Sequence, residues 1–343
     1  MFLCLSNRYY PLVKLPDGKQ RILFNHGVTI DTRDSYENFL HIQEHVKEKI
    51  CSYKYYDDET GEFIGTEFVK MVSVPCGMCR ECLTSRARDW SFRILKESEI
   101  HDDNYFITLT YDDEHIPSNH MLDTEAIKKF NKKLKVYLNR KGLDSSFRFY
   151  GVGEYGGQTA RPHYHVIYFG LPIPDLKFVC KSQNGDLIFD SEFIKSVWAN
   201  GFITIEGVSI GSAAYVARYC DKKKRLNKLE KQELINKGIV PEFSRMSNRP
   251  GIGAWFLDDV VDRVSKGLYE SYVNGKSYSY PLYYNKKMKE ILKDTDILSE
   301  FEDNAKLKSE IKINRNLLLS DSVGSLYKYN DNLDKEYKSN RKL

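Results

Sequence analysis

Apolar positions in the central part of the chain follow two periods, which predict alternating helices and strands. A stripe at helical spacing, with charged residues opposite, predicts an amphipathic helix directly after the peptide CGMCREC. Its members are Leu83, Ala87, Trp90 and Ile94. The next segment, NYFITLTYDD, is rich in apolar and β-branched residues and therefore predicts a strand that ends at its acidic pair.

The following segments continue this alternation. Residues 125–141 carry Phe130, Leu134 and Leu138 at intervals of four and predict a second amphipathic helix that ends near Gly142. Two strands are predicted in RFYGVGEY and HYHVIYFG. Because the connection between them is short and rich in turn residues, an antiparallel pair is favoured.

Two more helices and one strand complete the predicted core. One helix runs through Trp198, with Asp190 or Ser191 as its N-cap and Gly201 as its stop. FITIEGV predicts a strand, and SAAYVARYCDKKK predicts a helix with Ser212 as its N-cap. The order strand, helix, strand, strand, helix, strand, helix contains a hairpin and predicts an α+β fold rather than a parallel doubly wound sheet.

The two ends of the chain differ from this core. Residues 1–75 contain short alternating runs that predict strands and loops. From about residue 286 the chain is polar, mixed in charge and poor in core positions, which is typical of an appended segment. We therefore expect an N-terminal strand and loop region at 1–75, a core with a cysteine-rich start at 76–260, and a helical, partly flexible extension at 261–343.

Composition argues against a membrane-spanning protein and indicates a reducing compartment. The 343 residues have a mean hydropathy of −0.53, and no apolar run approaches the about 20 residues that span a bilayer. Seven cysteines are an odd number, and three of them lie in CGMCREC, which is typical of reduced thiols or metal ligands. We expect a soluble, cytosolic protein.

Positive charge is concentrated in two segments, although the net charge is only +4. Residues 127–141 carry seven positive charges and no acid, and residues 215–231 carry seven positive and two negative charges. Such clusters suit a phosphate backbone, whereas a lone lysine-rich run is more often a solvated helix face. The candidate DNA contacts are Arg161, Lys132, Lys133, Arg218, Lys223, Lys224 and Arg225.

The peptide GVGEYG at 151–156 matches the glycine fingerprint of dinucleotide-binding folds. That function requires a helix to begin at the glycines, with its N-terminus facing the pyrophosphate. The segment that follows contains Pro162 and a second strand pattern instead. We therefore reject a dinucleotide site and expect the glycines to permit a tight strand end and turn.

Two histidines and a glutamate form a candidate metal site. His163 and His165 lie two apart on a predicted strand and so point to the same face, while the hairpin brings Glu154 beside them. Two imidazoles and a carboxylate suit Mg²⁺ or Mn²⁺ acting on a phosphate. The same set also resembles the facial triad of non-haem iron oxygenases, and a histidine pair on a half-buried strand is often structural.

Two tyrosines form a candidate nucleophile pair. Tyr215 and Tyr219 are four apart on a predicted helix and therefore share a face. A phenol becomes a good nucleophile when a metal or a neighbouring cation favours the phenolate, and Arg218 and Lys222 supply positive charge nearby. Packing of both rings against the sheet is the alternative. A metal-assisted nuclease explains both the paired tyrosines and the basic run, whereas an oxygenase explains neither.

A second, softer metal site is indicated by cysteine spacing. Cys76, Cys79 and Cys82 form C-x2-C-x2-C, which suits a structural Zn²⁺ with Cys4 or Cys51 as the fourth ligand. Thiols without a metal are the alternative. An iron-sulfur cluster is less favoured because no second cluster motif is present.

Taken together, FITLTYDD, GEYGGQTARPHYH and YVARYCDKK resemble, in this order, the three motifs of HUH-superfamily rolling-circle replication initiators. The resemblance is strongest to the initiators of microviruses, the small icosahedral single-stranded DNA phages, and especially to the gokushovirus branch. VPCGMCRECLTSRARDWSFRI and MSNRPGIGAWF also look like stretches of that family, so the resemblance covers about residues 70–260.

The resemblance implies an antiparallel central sheet with flanking helices, like an RNA-recognition domain. It implies that His163 and His165, with Glu154, bind the divalent cation, and that Tyr215 and Tyr219 are tandem nucleophiles, with Lys222 completing the YxxK form of the third motif. The implied activity is strand-specific nicking of the viral origin. A phosphotyrosine then holds the 5′ end until the ends are rejoined.

The implied partners are single-stranded and origin DNA and a host DNA polymerase, in the host bacterial cytoplasm and away from any membrane. A host helicase is also expected, because the chain contains no Walker A motif. Two alternatives remain open. One is an HUH transposase or relaxase-like plasmid-mobilisation protein, and the other is a DNA-binding module without catalysis.

Overall fold

The structure is a computed structural model in which the chain forms two compact units, Phe2–Ser85 and Arg86–Leu343. The division lies within one continuous helix, and each unit is described separately. The described residues are 8–14, 20–22, 28–29, 44–45, 55–56, 63–64, 67–74, 77, 80–157, 159–182, 185–219, 232–234, 236–273, 276–293, 295–305 and 307.

The N-terminal unit is built from short antiparallel strands. Strand β1 pairs with β2, β3 and β6, and a separate two-stranded pair is formed by β4 and β5. Within β1, Leu12 and Val13 are buried. Strands were predicted here from the alternating runs, and the structure confirms them. The strands are β1 (Arg8–Lys14), β2 (Gln20–Ile22), β3 (Val28–Thr29), β4 (Tyr55–Tyr56), β5 (Phe63–Ile64) and β6 (Glu67–Val74).

The larger unit is organised around a seven-stranded sheet whose pairings are all antiparallel. The strands follow the order β10-β11-β12-β7-β9-β8-β13 across the sheet. This confirms the predicted α+β class and the antiparallel central sheet. The bounds are β7 (Asn104–Tyr111), β8 (Arg148–Tyr155), β9 (Pro162–Phe169), β10 (Lys177–Lys181), β11 (Leu187–Asp190), β12 (Gly201–Gly207) and β13 (Phe243–Met246).

Helices cover both faces of this sheet. Helices α2 and α3 pack on the face formed by residues such as Leu109, Tyr164 and Val166. Helices α1 and α4 pack on the opposite face, against Phe106 and Ile167. No helix among the described residues is long and apolar enough to cross a membrane. The helices are α1 (Arg80–Ser98), α2 (Ala126–Arg140), α3 (Glu192–Trp198) and α4 (Ile210–Tyr219).

The ends of two helices correct the predicted capping residues. Ser191 caps α3, as one of the two predicted candidates, but the left-handed residue that follows the helix is Ala199 with φ 52°, not Gly201. At the start of α4, Ser209 Oγ accepts from the Ser212 N–H at 3.1 Å. The Ser212 hydroxyl in turn accepts from the Ser209 N–H at 2.7 Å. Ser209 is therefore the N-cap, and Ser212 is its capping-box partner inside the helix.

The GVGEYG peptide lies on strand β8 and leads into the β8–β9 connection, so the absence of a helix N-terminus there is confirmed. The expected reason for its glycines was wrong for two of them. A Cβ on Gly151 would lie 3.0 Å from Ile127 Cδ1, and one on Gly153 would lie 2.8 Å from the Phe243 ring. These glycines therefore allow helix α2 and strand β13 to pack closely against β8.

The segment after residue 256 corrects the expectation that few core positions remain there. Tyr284, Met288, Leu292 and Phe301 are buried and form a cluster with Phe92 of helix α1. The sequence analysis overlooked these positions because their partners are remote in the sequence. The elements are α5 (Leu257–Ser265), preceded by a 3₁₀ turn at Ala254–Phe256, β14 (Glu270–Val273), β15 (Lys276–Ser279) and α6 (Leu282–Ile291).

Candidate active site

Strand register brings Glu154, His163 and His165 together on one face of the sheet. Glu154 on β8 is directly opposite His163 on β9, and Val152 is opposite His165. Since side chains two apart on a strand point to the same face, all three polar groups converge. Each offers one ligand atom, and these three atoms lie within 4.8 Å of one another.

Hydrogen bonds hold both imidazole rings in place. Glu154 Oε1 accepts from Nε2 of His163 at 2.8 Å and from Nε2 of His165 at 3.0 Å. On the other side of each ring, His163 Nδ1 donates to the main-chain oxygen of Arg161 at 3.0 Å, and His165 Nδ1 lies 2.9 Å from Thr108 Oγ1. The two Nε2 atoms are therefore directed at the carboxylate by partners on both sides.

Burial and pairing act in opposite directions on the charges of this cluster. Burial alone would raise the pKa of Glu154, but the hydrogen bonds from His163 and His165 outweigh it and hold that pKa below its ordinary value. Burial alone would lower the pKa of His163. The hydrogen bonds to Glu154 and to the Arg161 carbonyl outweigh this effect and raise it. Both nitrogens of His163 face acceptors, so the pair is stabilised in its charged form.

The donor set fits a divalent cation. Glu154 and His165 are 5% and 6% exposed, so their polar atoms are almost removed from solvent and depend on one another for partners. One carboxylate and two imidazoles, with Nδ1 of each ring tied to a second group, form the arrangement that metal-binding histidines use. These three residues are those that would hold Mg²⁺ or Mn²⁺.

Tyr215 lies beside this cluster. Its ring centroid is 5.3 Å from that of His165, and the two rings meet nearly at right angles. Phe106 supports both rings, since it stacks on His165 at 5.5 Å and meets Tyr215 edge-on at 6.0 Å. Tyr219 is the last residue of α4, and its side chain lies outside what the structure describes.

The predicted basic residues do not all converge on this face. Arg161 forms an ion pair with Asp113 and donates to the Tyr111 carbonyl at 2.8 Å, at the end of the sheet where His163 lies. Lys132 and Lys133 are exposed on helix α2, which packs on the opposite face. The remaining predicted residues lie outside the described side chains. They are Arg218, Lys222, Lys223, Lys224 and Arg225.

The structure leaves the predicted zinc site as a prediction. Cys82 is half-buried in the first turn of helix α1. The other cysteines considered lie outside the described residues. They are Cys4, Cys51, Cys76 and Cys79.

Sequence reasoning missed two residues of the site. Thr108 and Phe106 were assigned to a strand but were given no role, and the structure places both against His165. Their two-residue spacing on β7 was visible in the sequence. The signal that was lacking is the register, which sets Thr108 directly opposite His165.

Comparisons with known proteins point in one direction. The family model of the replication-associated protein ORF2 matches residues 104–224, which include strand β7, the cluster and helix α4. The replication-associated protein ORF2 of Spiroplasma virus 4 is 33% identical over 276 residues, covering 78% of this chain and 82% of that protein. No solved structure matches significantly.

Two further relatives carry similar names. The replication-associated protein VP4 of Bdellovibrio phage phiMH2K is 31% identical over 239 residues, covering 69% of this chain and 73% of that protein. The replication-associated protein ORF4 of Chlamydia phage 1 is 32% identical over 170 residues, covering 48% of this chain and 42% of that protein.

Proposed function

The chain belongs to the family of phage replication-associated proteins, and on that premise we propose that it nicks one strand of a phage replication origin. The observation that carries this proposal is the position of the Tyr215 ring, 5.3 Å from the ring of His165 in the Glu154–His163–His165 cluster. A candidate nucleophile beside a candidate metal centre suits phosphoryl transfer to a phenol.

Each side chain has a distinct part in the proposed reaction. When bound, Mg²⁺ or Mn²⁺ supplies polarisation of the scissile phosphate and neutralises its developing charge. The phenol oxygen of Tyr215 attacks phosphorus in line, and the 3′ oxygen of the cut strand leaves. The new bond is a phosphotyrosine at the 5′ end. Because this ester retains the free energy of the broken one, attack by a 3′-OH reverses the step and rejoins ends without ATP.

The second tyrosine extends the proposal from one cut to a replication cycle. Tyr219 is four residues from Tyr215, so a helix places both residues on the same side. While one tyrosine holds the first 5′ end, the other cuts the regenerated origin, and strand transfer closes the displaced genome into a circle. Lys222 then orients the strand or stabilises a phenolate.

Two alternative functions keep part of this site. A transposase or plasmid-mobilisation protein of the HUH superfamily would use the same chemistry, but the matched relatives carry replication names. A DNA-binding module without catalysis requires the histidines to be structural. Against it stands the cost of burying a carboxylate between two imidazoles, since an apolar core residue would occupy such a position more favourably.

The proposed initiator works with further components. The free 3′ end would prime a host DNA polymerase, and a host helicase would separate the strands in the host bacterial cytoplasm. A structural Zn²⁺ held by Cys76, Cys79, Cys82 and Cys4 would stabilise the N-terminal region. Metal analysis of protein purified without chelator tests this part by itself, and a zinc-free protein would contradict it.

A covalent adduct is the direct test of the nicking proposal. Full-length protein is incubated with Mn²⁺ and with single-stranded oligonucleotides that tile the phage genome, and an SDS-stable shifted band is sought. We expect the origin oligonucleotide alone to give the band, and we expect Tyr215→Phe combined with Tyr219→Phe to abolish it while DNA binding persists.

Tyr137→Phe on helix α2 is the matched control, because it also removes one phenol oxygen but lies on the opposite face of the sheet. It should leave the band unchanged. An adduct that persists in the double variant contradicts the assignment of the nucleophiles. A band with transposon ends but none with phage sequences favours the transposase alternative.

A further inference from the structure

One large apolar side chain lies exposed on the same face of the sheet as the metal cluster. Phe202 on strand β12 is 67% exposed, the highest value among the large hydrophobic residues that the structure describes. Its strand neighbours Ile203 and Ile205 pack into the core on the opposite face. Since strand residues alternate, Phe202 and Thr204 belong to the face that carries His163 and His165.

Register places Phe202 in line with the cluster. Phe202 is paired with Thr110 on β7, Thr110 with His163 on β9, and His163 with Glu154 on β8. These residues form one row across four neighbouring strands. With strands about 4.8 Å apart, the backbones at Phe202 and His163 are separated by about 10 Å. The residue between them, Thr110, is small and uncharged.

The rest of this face is covered, which makes the exposure of Phe202 specific to its end of the sheet. Phe106 and Ile167, two positions further along β7 and β9 from Thr108 and His165, are buried beneath helices α1 and α4. The cover includes Ile94 of α1. Exposing an aromatic ring to water forfeits the free energy that its burial would contribute, about 1.5–3 kcal/mol. A ring left open in line with a candidate active centre is suited to a partner that covers it.

We propose that Phe202 is a stacking platform for one unpaired base of the DNA strand whose scissile phosphate lies at the Glu154–His163–His165 cluster. The assignment rests on the proposed function, because that function supplies a single strand at the cluster. Every base has an apolar π-face that stacks on an aromatic ring, whatever its sequence. At about 3.4 Å per stacked nucleotide, 10 Å corresponds to about three nucleotides, or fewer in an extended strand.

The same sheet provides a matched control. Phe178 on strand β10 is also exposed, at 52%. It is paired with Phe189 on β11, which is paired with Ile205, so it lies on the opposite face from Phe202. Phe178→Ala and Phe202→Ala therefore remove the same surface ring from the same sheet, and the two differ in which face loses it.

Fluorescence anisotropy of labelled DNA tests the platform. The probes are a single strand of about 20 nucleotides of mixed sequence, longer than common single-strand sites, and the duplex of that sequence. Full-length protein is titrated in EDTA, so that binding is measured without cutting. Phe202→Ala should weaken single-strand binding by about 5- to 100-fold, Phe202→Trp should restore it, and Phe178→Ala should leave it unchanged.

Three results would overturn the platform. They are unchanged single-strand affinity in Phe202→Ala, an equal loss in Phe178→Ala, and an equal loss of duplex affinity. Thermal melting of each variant shows that the fold is intact, as we expect for substitutions of exposed rings. The adduct assay separates this proposal from the nicking proposal. A wild-type protein that forms no adduct but binds single strands through Phe202 refutes nicking and retains the platform.

Discussion

The two faces of strand β9 are both largely buried, yet different interactions stabilise them. One face presents Tyr164, Val166 and Tyr168, each 0% exposed, to the core beneath helices α2 and α3. The other face presents His163 and His165 to a carboxylate on strand β8. The first face is held by apolar contact over a large area, and the second by a few directed hydrogen bonds.

This difference shows where the strand carries stability and where it carries chemistry. Full burial of a large apolar side chain contributes about 1.5–3 kcal/mol, largely independent of which neighbour covers it. A buried polar group is unfavourable unless each of its atoms finds a partner. Substitutions on the core face should therefore change the free energy of unfolding. Substitutions on the other face that preserve hydrogen bonding should mainly change metal binding.

The largest effect on stability is expected from the core face. Tyr168 is fully buried, contacts the rings of Phe147 and Phe130, and donates to Asn131 Oδ1 at 2.5 Å. Tyr168→Ala leaves a ring-sized cavity and an unpaired amide oxygen, so the free energy of unfolding should fall by about 3–5 kcal/mol. Urea denaturation of the full chain measures this change.

Tyr168→Phe is the control for this substitution, because it keeps the ring and removes the bond to Asn131. It should cost about 1–3 kcal/mol and leave Mn²⁺ affinity at the wild-type value. A loss of metal affinity in this variant would mean that the two faces are coupled. A loss of stability below about 1 kcal/mol in Tyr168→Ala would contradict the role of the core face.

The opposite pattern is expected for Glu154→Gln. The amide oxygen still accepts from one imidazole and the volume is conserved, so the free energy of unfolding should fall by only about 1–2 kcal/mol. The variant lacks the anionic ligand, and we expect Mn²⁺ affinity to fall by more than about 100-fold, beyond the range of outer-shell changes. Isothermal titration with Mn²⁺ provides the measurement.

Glu242→Gln makes the same chemical change close to the site. The Glu242 carboxylate accepts from the Tyr155 N–H at 3.1 Å and is not a member of the cluster. It should bind Mn²⁺ like the wild type. Equal losses in the two variants would indicate a general effect of negative charge rather than coordination by Glu154.

The same contrast explains how much of the molecule could be predicted from its sequence. The strand and helix positions of the core follow from local periodicity, and the β8–β9 hairpin brings Glu154 to His163 through a short connection. Position in a short hairpin is local information. The sequence therefore sufficed to bring the three candidate metal ligands together.

Features that depend on distant segments were missed. Met288 and Phe301 pack with Phe92, about 200 residues earlier, so a local reading assigned them to a polar tail. The exposure of Phe202 was missed for a related reason, since an aromatic residue in a strand normally predicts burial. In both cases the deciding quantity is which segment covers the side chain, and no period along the chain contains it.

The smallest effect is expected from Thr108, which contacts the cluster from strand β7. When His165 binds a cation through Nε2, its Nδ1 carries the proton, and Thr108 Oγ1, 2.9 Å away, is positioned to accept it. Thr108→Val keeps the shape and removes the acceptor. Mn²⁺ affinity should fall by about 10-fold, at the low end for an outer-shell partner, while stability changes little.

Thr110 supplies the matched control for this positioning role. It lies two residues further along the same face and opposite His163, whose Nδ1 donates to the Arg161 main chain instead. Thr110→Val should therefore leave Mn²⁺ affinity unchanged, and Thr108→Ser should restore it because serine keeps the hydroxyl. Nitrogen NMR of the His165 ring reads the tautomer directly, and a loss of the Nδ1–H form in Thr108→Val is expected. An unchanged tautomer together with unchanged affinity would confine Thr108 to packing and leave the orientation of His165 to the carboxylate and the Phe106 ring.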